Sequence, residues 1–398
     1  MARLWSCGFE LQSVTSGVEW DTTTNSPTIS TTIKRSGAAA LRCNPSATTA
    51  LLTYEFNIDG GSAVDLYFRA YVYITTATDA LDSIMRVRST ANEATASIRM
   101  NSDRTLELWD DDDGSSPVQI GSDSSALNTG QWYRIEMAIV TDASGFPTSA
   151  TGYIDGVQFA TGGAFNFVGA APGDFQLGAI TATTCDLYFD DVAINNNSGA
   201  SQTGLPGAGS IVHMQPDSAG DSNTGFSGDW SDLDEVTPDD GTTIVILDND
   251  NELIDVNCES SSNAGIGSTD TISLVLVGIR EAASSGALGA NGWNVRIKSA
   301  SGASVQSGST TTHNDTTYQT NGDVQPRIYT LASYTDPTTG VAWTPTGTNS
   351  LDNMQIGVIA TDANPDVRVS TLWASVEYVP ASAAAASIIP TLLLMGAA

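Results

Sequence analysis

Lysine is almost missing from this chain of 398 residues. Lys34 and Lys298 are the two present, and Lys and Arg together number 15 against 45 Asp and Glu, a formal net charge of −30. A surface so short of cations repels phosphate backbones and anionic bilayers, which excludes nucleic acid and membrane as direct partners. Histidine is equally scarce. His213 and His313 are too few for most His-based metal centres or Ser-His-Asp triads. Cys7, Cys43, Cys185 and Cys258 lie far apart. They form neither a CxxC pair nor a zinc spacing, and they read as buried free thiols. No apolar run reaches the roughly 18 residues of a membrane span. The opening Met1–Glu10 lacks the apolar stretch of a signal peptide. No Gly-rich phosphate loop opens a helix. Charged residues make up only 15% of the chain, and Ser, Thr, Gly, Asn and Ala take their place. Those residues suit turns and outward strand positions, not helix surfaces.

What is present is a series of short period-two runs. Val64–Ile74 sets Leu66, Phe68, Ala70, Val72 and Ile74 on one face. Ser83–Arg88, Ala96–Met100, Thr105–Trp109, Trp132–Val140, Phe175–Ile180 and Leu187–Ile194 continue the pattern between Gly, Asp, Asn and Ser clusters. Such spacing predicts an all-β chain of antiparallel sandwiches. The stretch 198–209 is poor in core formers and reads as a linker. A second series includes Ile211–Met214, Thr271–Ile279, Trp293–Ile297, Gln325–Leu331, Met354–Ile359 and Val367–Val379. The expected organisation is a sandwich over 1–197, a linker over 198–209, a second sandwich over 210–380 and a tail over 381–398. The tail is Ala-rich and then apolar. Ile388, Ile389, Leu392, Leu393, Leu394 and Met395 are too few to cross a bilayer; they read either as a frayed terminus or as a segment that docks on a neighbouring subunit.

In the first region, Thr129-Gly-Gln-Trp-Tyr-Arg-Ile-Glu136 is followed by Gly152-Tyr-Ile-Asp-Gly-Val157 and Leu187-Tyr-Phe-Asp-Asp-Val-Ala-Ile194. This order resembles the laminin-G-like, concanavalin-A-like jelly roll, with Gly8-Phe-Glu10 like that family's first strand. Asp155-Gly156 is a type I′ hairpin signal. Trp132, Ile135 and Met137 cannot share one face on strict alternation. In the second region, Asp336-Pro-Thr-Thr-Gly-Val-Ala-Trp-Thr344 precedes Gln355–Ile359 and the closing Val367–Tyr378. This resembles a module of tailed-bacteriophage structural proteins, although Asp336-Pro337 with Gly340 is also plain turn chemistry. The second resemblance implies a non-enzymatic virion protein, decorating the capsid or serving in a fibre or tail accessory. It would be made in the host cytoplasm without a signal peptide, and its partners would be other virion proteins and further copies of itself. The alternative is a glycan-binding adhesin that contacts host-surface glycans through the first region.

Candidate chemistry is sparse. Two carboxyls flanking one bond would suit glycoside hydrolysis, and the nearest run is Glu252–Glu259. Residues three apart on a strand face opposite ways, so Glu252 and Asp255 cannot converge without a bulge. An enzyme is therefore not expected, and no cofactor is required. The run Asp110, Asp111, Asp112, Asp113 before Gly114 could offer oxygens to Ca²⁺, or could simply be a hairpin tip. Asp190-Asp191 and Asp239-Asp240 are weaker candidates of the same kind. Among the eight tryptophans, Trp109 beside the aspartate run is the candidate platform for a sugar's apolar face.

Overall fold

The computed structural model describes residues 2–56, 63–111, 117–163, 171–285, 291–313, 315–321 and 328–381. The chain is all-β, with four antiparallel sheets and no α-helical element among the described residues. Two sheets come from the first half. The eight-stranded one runs Val157–Gly163, Pro147–Ile154, Trp132–Thr141, Leu66–Thr76, Asp186–Asn196, Ala40–Cys43 and Thr28–Ser30, with Arg3–Cys7 also on Asp186–Asn196. The seven-stranded one runs Val118–Ile120, Leu106–Asp110, Ala94–Met100, Asp82–Ser89, Pro172–Thr183, Thr48–Glu55 and Thr22–Asn25. Their inner faces enclose Phe68, Val72, Val87, Ile98, Leu108, Ile135, Phe175, Leu177 and Phe189, all fully buried. Each such side chain contributes about 1.5–3 kcal/mol by leaving water.

Alternation explains the Trp132 strand. Tyr133, Ile135, Met137 and Ile139 turn inward, while Trp132 is half-buried against Tyr73 on the outer face. The hairpin signal is realised as well. Asp155 (φ 52°) and Gly156 (φ 83°) both lie in the left-handed region between paired Ile154 and Val157, as a type I′ turn requires. All four cysteines are buried, and none is in a disulfide.

The second half contributes two six-stranded sheets. One is built on Val367–Val379, which pairs with Ser210–Met214, Val245–Leu247 and Thr271–Ala283. The other contains Pro216–Thr224, Leu253–Cys258, Gln355–Asp362 and Asn291–Lys298. The Gln325–Leu331 expectation needs correcting: part of it lies outside the described residues, 328–331 is not strand, and pairing is confined to Ala332–Ser333 on Thr271–Ala283. Tyr329 instead joins the first half's core. The Asp336–Trp343 loop closes on itself. Asp336 accepts from the Thr338 amide and the Thr339 hydroxyl, and Trp343 is buried with its Nε1 donating to Ser333.

The two halves share a packed junction. Leu274, Leu276, Tyr329 and Trp373 belong to the first half's core cluster, while Val275, Val277, Ile279, Leu372 and Ala374 belong to the second's. Thr271–Ala283 is thus buried on both faces. At the junction's centre the Glu377 carboxylate receives Arg3 at 2.6 Å and Arg69 at 2.5 Å, all three side chains being at most 4% exposed. Burial pushes the Glu377 carboxyl up, but the two guanidiniums outweigh it and hold it below its ordinary value. Residues 198–209 run along the first half under a set of hydrogen bonds. Asn195 donates to the Gly204 carbonyl, the Gly207 amide donates to Glu136, and Arg35 donates to the Gly209 carbonyl. A Cβ at Gly209 would meet Glu377 Oε1 at 2.6 Å, so a glycine is needed there.

Candidate functional site

Alternation that sends Val87, Ile98, Leu108 and Phe175 into the core sends their neighbours to the outer face of the seven-stranded sheet. The register then lines those neighbours up. Gln119 stands opposite Trp109, Trp109 opposite Ser97, Ser97 opposite Arg86, Arg86 opposite Gln176, Gln176 opposite Thr53, and Thr53 opposite Thr22. One polar row therefore crosses all seven strands, with a single indole in it.

The row is internally bonded. Gln176 Oε1 accepts from Arg86 Nε at 2.9 Å and Nη2 at 2.5 Å, and Gln176 Nε2 donates to Thr53 at 3.3 Å. Trp109 Nε1 donates to Glu107 at 2.7 Å, and the Arg99 guanidinium lies 4.2 Å over the indole ring. Arg99 also pairs with Asp111. Arg88 grips Asp174 through two contacts, at 2.9 and 2.8 Å. Arg86 is different: its acceptor is a neutral amide, whereas its neighbours have carboxylates. Burial lowers its pKa, with Arg88 and Arg99 adding to the effect. Beside it is a recess of about 220 Å³ lined by Ser83, Arg86, Arg99, Asp111, Pro117 and Thr181. Asp82 supports the rim by accepting from the Thr181 amide at 2.7 Å, and burial pushes its carboxyl up to about 6. Planar guanidinium and amide groups next to an indole can hydrogen-bond hydroxyls while an apolar ring face rests nearby.

Trp109 and Asp111 thus meet on one face. Trp109 is half-buried. Asp110 ends its strand opposite Val118 and Ala96. Asp112 and Asp113 lie outside the described residues, as do Ile388, Ile389, Leu392, Leu393, Leu394 and Met395. Among the described residues no three His, Cys, Asp or Glu side chains converge as a metal set. Asp190 and Asp191 hold the junction: Asp191 pairs with Arg35 and accepts from the Ile211 amide at 2.5 Å, and Asp190 accepts from the Arg35 amide at 2.8 Å. Asp240 takes Arg280 through two contacts at 2.6 and 2.5 Å. Glu252 closes the turn at Asp248 and Asn249, while Asp255 faces Arg296 at 3.0 Å and Lys298 at 3.1 Å.

The other outer face carries a second row. Trp132 stands opposite Tyr73, Tyr73 opposite Tyr188 and Tyr188 opposite Arg42. Neither row was named from the sequence. The outward positions of Arg86, Arg88 and Arg99 are visible in alternation with Val87 and Ile98, but which strands become neighbours is not.

No family model matches this chain, and no curated protein matches it. Among solved structures, a cellulose-induced protein is 17% identical, with 51% of this chain and 99% of that one covered at a TM-score of 0.38. A conserved carbohydrate esterase from the Shiga toxin-encoding bacteriophage phi24B is 14% identical, covering 48% and 97% at 0.37. Domain 4 of an extracellular arabinanase from Geobacillus stearothermophilus, in complex with arabinotriose, is 15% identical, covering 49% and 92% at 0.32. At these scores any function has to be read from the chain's own side chains.

Proposed function

We propose that this chain is a non-enzymatic recognition protein that holds a saccharide against the outer face of its seven-stranded sheet. The observation that carries the reading is the polar row through Trp109, Ser97, Arg86 and Gln176, beside a recess that small polar groups can enter. Fixed planar donors and an indole edge match a ligand with hydroxyls around an apolar ring. Among the described residues the carboxylates of Asp111 and Asp174 are paired with arginines, and Glu107 accepts from Trp109. A glycan array probed with the intact chain tests the proposal. Binding to at least one neutral or acidic glycan is expected, weakened about tenfold or more by Trp109→Ala. Silence across the array, with and without Ca²⁺, would remove it.

A second reading places the chain in a tailed-phage virion, among other virion proteins and copies of itself. One observation favours it: the halves are joined through a buried Arg3–Glu377–Arg69 group and a shared apolar seam, not tethered by a free linker. A stiff block suits a protein that fixes its binding face at a set position in an assembly. Co-purification with particles is expected, together with release after deletion of residues 388–398. Unchanged occupancy after that deletion would count against docking by the tail.

A further inference from the structure

The last strand of a sheet leaves a row of backbone N–H and C=O groups unpaired, and proteins blunt such edges with short strands, charge, proline or a bulge. Most terminal strands among the described residues are blunted in this way. Thr22–Asn25, Thr28–Ser30 and Val118–Ile120 have four residues or fewer. Ser210–Met214 is buried throughout. Pro216–Thr224 is longer, but it carries a proline, Asp217, Asp221 and two register shifts. Val157–Gly163 differs from all of these. It ends the eight-stranded sheet with seven residues, none of them charged and none proline. Its one register shift falls at Phe159, and Ala160–Gly163 pair in regular order with Gly152–Ser149 beyond it.

The flank around this edge is apolar. Val157 is 71% exposed, and Val118, on the terminal strand of the seven-stranded sheet, is 59% exposed. The two terminal strands meet on this flank. A Cβ at Gly162 would lie 2.5 Å from Ile120 Cγ2, and one at Gly121 would lie 3.2 Å from the Ala160 Cβ. Beside them is a recess of about 460 Å³ whose lining includes Leu127, Tyr133, Ile154 and Phe159, with Asp123 as its one acid among the described residues. From Pro147 to Gly163 the chain has a single charged residue, Asp155 in the turn. Copies of a chain with net charge −30 repel one another in most orientations. Approach along an uncharged hairpin costs least, because it keeps the carboxylates of the two copies apart.

We propose that Val157–Gly163 pairs with the same strand of a second copy about a twofold axis, joining the two eight-stranded sheets into one. A half-turn sets a strand antiparallel to its own image, so the unpaired N–H groups of each meet the C=O groups of the other. Lack of charge then selects a second copy as the occupant, since this is the long edge along which two such acidic chains can meet. The pairing uses a backbone edge and not the outer face that holds Arg86 and Trp109, so it stands apart from the saccharide reading.

Sedimentation velocity on the intact chain, at up to about 100 µM, should show a species of twice the chain's mass, with a dissociation constant on the order of 10 µM for so small an interface. Raising NaCl from about 0.05 to about 0.5 M should tighten association about tenfold, by screening the acidic copies from each other. Amide hydrogen exchange across 157–163 should slow about tenfold where about nine-tenths of the chain is dimer, since only the monomer leaves the edge open. Val157→Glu with Thr161→Glu, at two exposed positions, should abolish the dimer while moving the melting temperature by no more than a few degrees. Val305→Glu with Val341→Glu adds the same charge at exposed positions of the second half and should leave the dimer intact. Should the edge pair fail to fold, Gln158→Glu, at a single exposed position, replaces it and should weaken association about tenfold. A chain that is monomeric at every concentration and salt would overturn the proposal. So would association that weakens with salt, exchange at 157–163 that does not respond to concentration, or a dimer unaffected by the edge substitutions.

Discussion

The seven-stranded sheet of the first half and the sheet built on Thr271–Ala283 in the second follow the same alternation and meet different fates. On the first, residues between the core positions face outward and include Arg86, Gln176 and Trp109. On the second, those in-between positions are Leu274 and Leu276, and they pack into the other half's core. The lesson is that a sheet's second face decides its role. A polar face stays open to solvent, whereas an apolar face becomes a joint. The charge pattern differs in the same way. Arg86 on the open face has a neutral acceptor, whereas Arg3 and Arg69 at the joint share one carboxylate. Glu377→Ala is the sharpest way to break the comparison. It leaves two buried guanidiniums with no counter-charge, and breaking a buried pair costs about 3–5 kcal/mol. A loss of unfolding free energy of that size is expected in a denaturant titration. A loss below about 1 kcal/mol would mean the joint does not depend on the triad.

Acidity gives the next largest effect, and it too concentrates at the joint. Burial pushes Glu10 up to about 8 and Glu19 up to about 7. Asp190 is also raised, by burial and then by Asp191. An unfolded glutamate loses its proton near its ordinary value, so between pH 6.5 and 8 the folded chain binds more protons than the unfolded one. Stability contributed by these groups is then fully present below about pH 4.5 and is lost as pH rises through 7 and 8. His213, pushed down to about 3, acts oppositely: its contribution is present above about pH 6.5 and is lost as pH falls. In the window from 6.5 to 8 the acids act alone. Thermal unfolding should show stability dropping across it by about 2 kcal/mol from Glu10 and Glu19 together, at roughly 1.4 kcal/mol per proton per pH unit, with Asp190 adding in the same direction. Glu10→Gln should flatten the slope. A stability that rises over the same window would contradict the assignment.

Much of this architecture was legible because strands advertise burial. The alternating run Leu66–Ile74 faces the core on one side, and the nearly continuous run Leu274–Ile279 is buried on both, as its composition suggests. The Asp155-Gly156 turn was equally readable, since only a few residue types tolerate its backbone. Other parts were hidden. Pro216–Thr224 is a strand of polar residues with register shifts, and no side-chain period marks it. The 198–209 stretch lacks core formers because it is fixed by hydrogen bonds from Arg35, Arg69 and Asn195, which lie far away or on the preceding strand. The candidate site was half visible. Trp109 stood out as an indole at a strand end, but Arg86 and Gln176 lie 90 residues apart in sequence and meet only through register.

Arg86→Gln is the smallest expected change in stability and the most informative about the open face. The side chain is half-buried, its acceptor Gln176 Oε1 can still receive a hydrogen bond from the new amide, and no carboxylate is left without its partner, because Asp111 and Asp174 are held by Arg99 and Arg88. Stability should therefore shift by no more than about 0.5–1 kcal/mol. Ligand affinity at the sheet face should nevertheless fall about tenfold, the worth of one charge-assisted hydrogen bond. Parallel denaturant titration and glycan binding on the same variant measure the two effects together. If stability falls as steeply as affinity, Arg86 braces the sheet in the way Arg3 and Arg69 brace the joint, and the contrast between an available face and a committed one disappears.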